Sequence, residues 1–202
     1  VDIVCHGVPA PYLWRDYLSY LEKKQGAKIC WVNFRDKQEF GWRAHKETFK
    51  FIKRARKMSF TFLFYQHIMF RNSCGKCHFT NIQRPSDITI ADFWGIEKVD
   101  PNINSDDKGV SLILINTEKG QKLFEAIQHD LNTIPATLDK CLQPNLKHPT
   151  IIHPQRMDFE RDYKKYGFSY VMKKYGNNDR RHKLKSTIKK IKNKIKRIIH
   201  IN

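Results

Sequence analysis

Apolar positions along the chain switch between a period of two, a helical period and short continuous runs, which predicts strands and helices interleaved along one fold. Val1-Asp2-Ile3-Val4-Cys5 reads as a buried strand, and His6-Gly7-Val8-Pro9 as the turn after it. Pro11 suits the first position of a helix, where a missing N–H costs nothing. Trp14, Tyr17, Leu18 and Leu21 follow at i, i+3, i+4 and i+7, a helical stripe that stops by Gly26. Ile29 to Val32 and Thr48 to Ile52 are strand-like and are expected to pair antiparallel around a polar loop that holds Gly41 and Trp42. The run FTFLFYQHIMF from Phe60 to Phe70 is too aromatic to show a period; its length favours a buried helix with His67 packed in the core.

The second half continues the alternation. Asp87-Ile88-Thr89-Ile90-Ala91-Asp92 predicts a strand with a small face at Thr89 and Ala91, wide enough for a flat ring or for a packed helix. Val110 to Ile115 is nearly continuous and reads as a strand covered on both faces. Asn116 or Thr117 can cap the next helix, with Leu123, Phe124, Ile127 and Leu131 as its stripe. Four prolines between Pro135 and Pro154 predict an irregular crossing segment, and Met157 to Tyr175 one or two helices broken at Gly167. The fold class expected is α/β, a mixed sheet with flanking helices, incomplete at its N-terminal edge, plus a basic C-terminal helical tail. The divisions expected are 1–155 for the main domain, 156–179 for a helical extension and 180–202 for the tail.

Composition changes this picture in two places. A chain of 202 residues with 40% hydrophobic content is enough for one core, and no apolar run reaches the 18 or so residues that span a bilayer. The default compartment is the cytoplasm. The net charge of +18 suggests nucleic acid until it is located: ten of the 38 basic residues and none of the 20 acidic ones lie from Arg180 onward, which leaves 28 against 20 before it. Ile188, Ile191, Ile195 and Ile198 put that tail in the class of basic amphipathic helices, which either stay solvated or lie on an anionic surface such as the inner face of the membrane. Val1 in place of Met, opening directly on a strand, leads to the expectation of a fragment of a longer protein.

The candidate chemistry begins at Cys74-Gly75-Lys76-Cys77, where glycine lets the backbone fold tightly enough for both sulfurs to hold one metal ion. Two thiolates do not complete a site. Five cysteines scattered through a mid-sized chain fit metal binding or free thiols better than a disulfide framework; Cys141 is read as a free thiol. Cys5, at the C-terminal end of a strand, is by position either core or ligand. Lys108-Gly109 before a strand offers a cation and an open amide, as a phosphate needs, without being a Walker loop. A zinc reading takes Cys74 and Cys77 with two of Cys5, His6 or His78, in a basic protein that binds nucleic acid; the single cysteine pair and the confinement of charge to the tail argue against it. A non-catalytic interaction module is the third reading.

Five segments in order, Cys5-His6-Gly7-Val8-Pro9, Phe34-Arg35-Asp36-Lys37, Cys74-x-x-Cys77, Ser86-Asp87-Ile88-Thr89-Ile90 with Asp92-Phe93-Trp94-Gly95, and Asp107-Lys108-Gly109-Val110-Ser111, resemble the C-terminal domain of the coenzyme F(420) hydrogenase/dehydrogenase beta-subunit family. The resemblance covers about the first 120 residues. It implies a flavin and iron–sulfur oxidoreductase in which Cys5, Cys74 and Cys77 hold a 4Fe–4S cluster and a fourth cysteine comes from an upstream portion. It implies further that Asp92, Trp94, Gly95, Lys108, Gly109 and Ser111 help form a pocket for FAD. The partner implied is a redox protein or an upstream ferredoxin-like module. The acceptor is left open between coenzyme F(420) and other conjugated substrates, and no catalytic acid or base is assigned.

Overall fold

The computed structural model describes residues 1–52, 54–58 and 60–176. The predicted basic tail, 180–202, lies outside the described residues.

Helix α1 spans Pro11–Gln25, with Pro11 at its first turn and Gly26 closing it in the left-handed conformation (φ 62°) that a side chain would resist. Its stripe buries Leu13, Tyr17 and Leu21. Strands β2 (Ile29–Asn33), β3 (Glu47–Phe51) and β4 (Arg54–Met58) form an antiparallel sheet, and β2 pairs with β3 as the pattern predicts. Between them α2 (Lys37–Phe40) is capped by the Asp36 side chain, which accepts the Glu39 N–H. The aromatic run that follows makes a shorter helix than expected, α3 (Thr61–Tyr65). His67 ends it by taking a left-handed backbone (φ 58°).

The second sheet carries the predicted mixed pairing. Strand β5 (Ile88–Asp92) lies between β1 (Asp2–Ile3), which is parallel to it, and β6 (Ser111–Ile115), which is antiparallel. The protein is thus α/β with flanking helices. The pattern predicts a doubly covered strand over Val110 to Ile115, whereas β6 is the sheet edge and exposes both Ser111 and Ile115. The reason is in α4 (Glu118–Ile127): it is capped by Thr117 as expected, but touches the body at its first turn. Gly120 there sits so close to the Asp87 carbonyl that a Cβ would lie 2.2 Å from it. Beyond that contact Leu123 is 50% exposed and Ile127 44%.

The crossing segment holds a short α5 (Leu138–Cys141) and delivers the chain to α6 (Arg156–Tyr166) and α7 (Phe168–Tyr175), broken at Gly167 as predicted. Phe159, Phe168, Val171 and Met172 from these helices join Leu13, Tyr17 and Leu21 of α1 and Phe49 and Phe51 of β3 in one large core. A smaller core of Phe93, Ile96, Leu112, Cys141 and Leu146 lies under the mixed sheet. Cys141 is a free thiol, as read from the sequence, and burial pushes its pKa up.

Candidate functional site

A cavity of about 800 Å³ opens where the two cores meet. Val4 and Ala91 on its wall belong to the smaller core and Phe64 to the larger. Its volume is in the range of sites that enclose a cofactor or a drug-sized ligand.

One wall is built on the end of β5. Asp92 closes the strand, Phe93 is drawn into the smaller core by its N–H bond to the Val110 carbonyl (2.8 Å), and Gly95 turns the chain with φ 90°. Trp94 is thereby left facing the cavity. Trp42, fully buried, stacks on Trp94 at 4.0 Å between ring centres and 13° between planes. Its indole N–H donates to Asp92 Oδ1 (3.0 Å), while the Arg35 guanidinium pairs with the other carboxylate oxygen and donates to the Trp42 carbonyl (3.1 Å). Burial alone would raise the Asp92 pKa; the Trp42 and Arg35 hydrogen bonds and the Arg35 charge hold it below the usual carboxylate range. Asp92 is therefore an ionised anchor for the tryptophan pair.

Histidines line the same cavity. His45 Nδ1 lies 2.7 Å from the Tyr65 hydroxyl, and its ring tilts against Trp94 at 4.7 Å. His6 and His67 meet Nε2 to Nε2 at 3.0 Å, and His67 Nδ1 lies 2.9 Å from the Ile151 carbonyl. A carbonyl can only accept, so His67 carries its proton on Nδ1 and His6 donates from Nε2. Burial lowers the His6 pKa, helped by the neighbouring imidazoles of His67 and His45.

Of the residues assigned to a flavin pocket, Asp92 and Trp94 line the cavity. Gly95 shapes the turn behind them. Gly109 also works from behind: with φ 93° it packs so tightly on Trp42 that a Cβ would lie 2.3 Å from the indole, and its amide N–H donates to Asn104 Oδ1 (2.8 Å). Lys108 is 84% exposed and paired with Asp106, and Ser111 stands opposite Asp92 in the β5–β6 register.

The Cys74–Cys77 turn is a 3-10 helix over Asn72–Lys76, with Gly75 pressed onto Ile152. The His6-Gly7-Val8-Pro9 loop runs beside it: Arg71 N–H bonds to the Val8 carbonyl (3.0 Å), and the Val8 N–H points at Cys74 Sγ (3.4 Å). Cys5 is exposed at the start of that loop. Among the described residues no three His, Cys, Asp or Glu side chains are grouped closely enough to hold a metal ion, so the fold brings the two cysteine-bearing turns together without gathering their sulfurs. His6, a ligand in the zinc reading, has its Nε2 engaged by His67 and its ring packed near Phe64 and Phe70.

Sequence reasoning did not assign His45 or Tyr65 a role and took His67 for core. The structure puts all three on the cavity wall. The one available signal was the conjunction of two histidines and a tyrosine in loop and helix-end positions, which no spacing rule marks.

A family model described as the C terminus of the coenzyme F(420) hydrogenase/dehydrogenase beta subunit matches residues 1–137. The chain belongs to this family. It is accordingly an oxidoreductase domain of the coenzyme F(420) hydrogenase/dehydrogenase beta-subunit type. A search of curated proteins returns no match. The family match includes the tryptophan wall, His45 and Tyr65, whereas the cavity wall from Gln143 to Ile151 comes after it. No helix among the described residues is long and apolar enough to cross a membrane.

Proposed function

We propose that this coenzyme F(420) hydrogenase/dehydrogenase beta-subunit domain passes electrons between FAD, a 4Fe–4S cluster and a conjugated substrate, with coenzyme F(420) one candidate. The observation that carries the reading is the aromatic cavity itself, with Trp94 braced on its wall by Trp42 and the Arg35–Asp92 pair. A flavin bound there would supply hydride chemistry joined to single-electron transfer, and the cluster would carry the single electrons.

The chain's own work is positioning. Asp92, ionised and doubly bonded, fixes the Trp42–Trp94 stack as a rigid plane against which a flat ring can lie. Phe34 and Phe64, which line the same cavity, offer that ring further apolar contact. Cys74 and Cys77 from one turn and Cys5 from the adjoining loop are the ligands proposed for the cluster, and the Val8 N–H directed at Cys74 Sγ is the kind of bond that stabilises a ligating thiolate. Three thiolates leave a fourth position for a ligand from outside this set, supplied by a redox partner or a ferredoxin-like module. An anionic membrane surface, met through residues 180–202, is the further partner proposed. The compartment proposed is the cytoplasm, including the inner membrane face.

The test is analysis of iron, sulfide, zinc and flavin, with an optical spectrum, on anaerobically purified protein beside a Cys74→Ser variant. Roughly four iron and four sulfide per chain with bound FAD, and loss of the iron in the variant, is the expected result. Stoichiometric zinc without flavin would overturn the proposal.

A further inference from the structure

Tyr65 ends α3 on the cavity wall and is 45% exposed there. Its hydroxyl meets His45 Nδ1 at 2.7 Å. His45 reaches that position from a left-handed backbone (φ 47°), a conformation costly for a residue other than glycine and found where surroundings impose it. The same imidazole rests on Trp94, so one ring links the plane proposed for the flavin to the only phenol among the described residues of the cavity wall. The Arg35–Asp92 pair beside them is mutually neutralised, which leaves the phenol and imidazole as an uncharged couple facing open space.

We propose that Tyr65 is the proton donor and acceptor for a planar conjugated ligand bearing a carbonyl or enol oxygen, and that His45 is its positioning residue and proton relay. The proposal rests on the oxidoreductase reading, because hydride addition to a conjugated carbonyl places negative charge on its oxygen, which a proton donor there stabilises. With His45 protonated on Nδ1, the imidazole donates to the Tyr65 oxygen and the phenol's own O–H is free to donate into the cavity. The Tyr65 proton passes to the ligand oxyanion, the Nδ1 proton replaces it, and a water proton enters at Nε2. The couple ends neutral with its imidazole tautomer exchanged; the ligand holds the former Tyr65 proton, the water is left as hydroxide that passes to bulk solvent, and exchange of the imidazole protons with solvent resets the couple.

The charged and titratable groups around the couple are Arg35, Asp92, Glu47 and His6. Burial raises the Tyr65 pKa, opposed by Arg35 and reinforced by Asp92 and Glu47. Burial lowers that of His45, reinforced by Arg35 and opposed by Asp92. Both directions keep the couple uncharged near neutral pH.

The probe is 4-hydroxybenzaldehyde, a planar conjugated phenol whose absorbance separates its neutral and ionised forms. It is titrated into the full chain before and after addition of FAD. Tyr65→Phe, which keeps the ring beside His6, should weaken binding of the ionised form about tenfold or more, the usual effect of one hydrogen bond to a charged group. His45→Gly, which accepts the left-handed backbone and removes the imidazole, should weaken it comparably, and His45→Asn, which also tolerates that backbone and can place its amide nitrogen where Nδ1 stands, should restore it to within about threefold. Equal affinity in Tyr65→Phe, or no binding by the native chain, overturns the proposal. FAD uptake is measured on the same samples: Tyr65-dependent probe binding without FAD uptake would sink the flavin reading and keep the couple, whereas FAD uptake with a probe indifferent to Tyr65 would sink the couple alone.

Discussion

The two cores differ in what they hold. The larger, between α1, β3, α6 and α7, is a mass of fully buried aromatic and aliphatic side chains. The smaller has five buried residues among those described, packed at β5 and β6, yet it carries the Asp92–Trp94 turn and sets one wall of the cavity. Stability therefore resides mainly in one region and the candidate chemistry at the edge of the other, so perturbing each should give separable effects.

The largest effect is expected in the big core. Phe159→Ala removes a 98%-buried ring that packs on Tyr175 and should cost about 4 kcal/mol in chemical denaturation, while ligand binding by the molecules that remain folded stays native. Equal damage to binding would merge the two regions into one. Gly109→Ala probes the seam. The added carbon must displace the Trp42 indole from a φ of 93°, and a loss of about 3 kcal/mol is expected together with a changed near-ultraviolet circular dichroism from the Trp42–Trp94 stack. An unaltered spectrum would mean that the stack does not depend on this close approach.

The smallest effect concerns the polar exception in the big core. Glu47 is fully buried; one carboxylate oxygen accepts the Thr61 N–H, and the other has no hydrogen-bond partner among the described residues, like the nearby Tyr17 hydroxyl. Burial pushes its pKa up to about 7 from an ordinary 4.5. The folded chain then holds a proton that the unfolded chain releases, so stability falls as pH rises from about 4.5 to about 7 and is level above that. Glu47→Gln should remove this slope, gaining roughly 2 kcal/mol over the native chain at pH 8 and little at pH 5. A gain of the same size at both pH values would show that ionisation of Glu47 is not its source.

What could be read in the sequence follows from how each part is encoded. The α1 stripe with Gly26, the β2–β3 pair, the Thr117 cap and the break at Gly167 rest on neighbours a few residues apart, where periodicity and backbone chemistry decide. Asp92 and Trp94, which line the cavity, stand in a motif of the ordered set that carries the family resemblance. His45 and Tyr65 carry no spacing signal and His67 reads as core, because their roles come from backbone bends and from partners distant in sequence. The aromatic run from Phe60 to Phe70 has no period to reveal that Phe64, Tyr65 and His67 face a cavity while Ile68, Met69 and Phe70 are core. Leu123 and Ile127 mislead in the opposite way: their spacing is helical, but no packing partner for that face follows from spacing.

The sequence separation of the site's contacts also bears on the order of assembly. Arg35 and Asp92 are 57 positions apart, His67 and Ile151 84, and the Thr150 hydroxyl that holds the His6 carbonyl 144. Each contact requires closure of a long loop whose entropy is not repaid until the flanking elements are in place. Helix α1 and the β2–β3 hairpin can form from local contacts, but the cavity can close only after the stretch near Ile151 returns to the first turn. A ligand bound in it would thus tie early and late parts of the chain together, and should act more on the rate of unfolding than on the rate of folding.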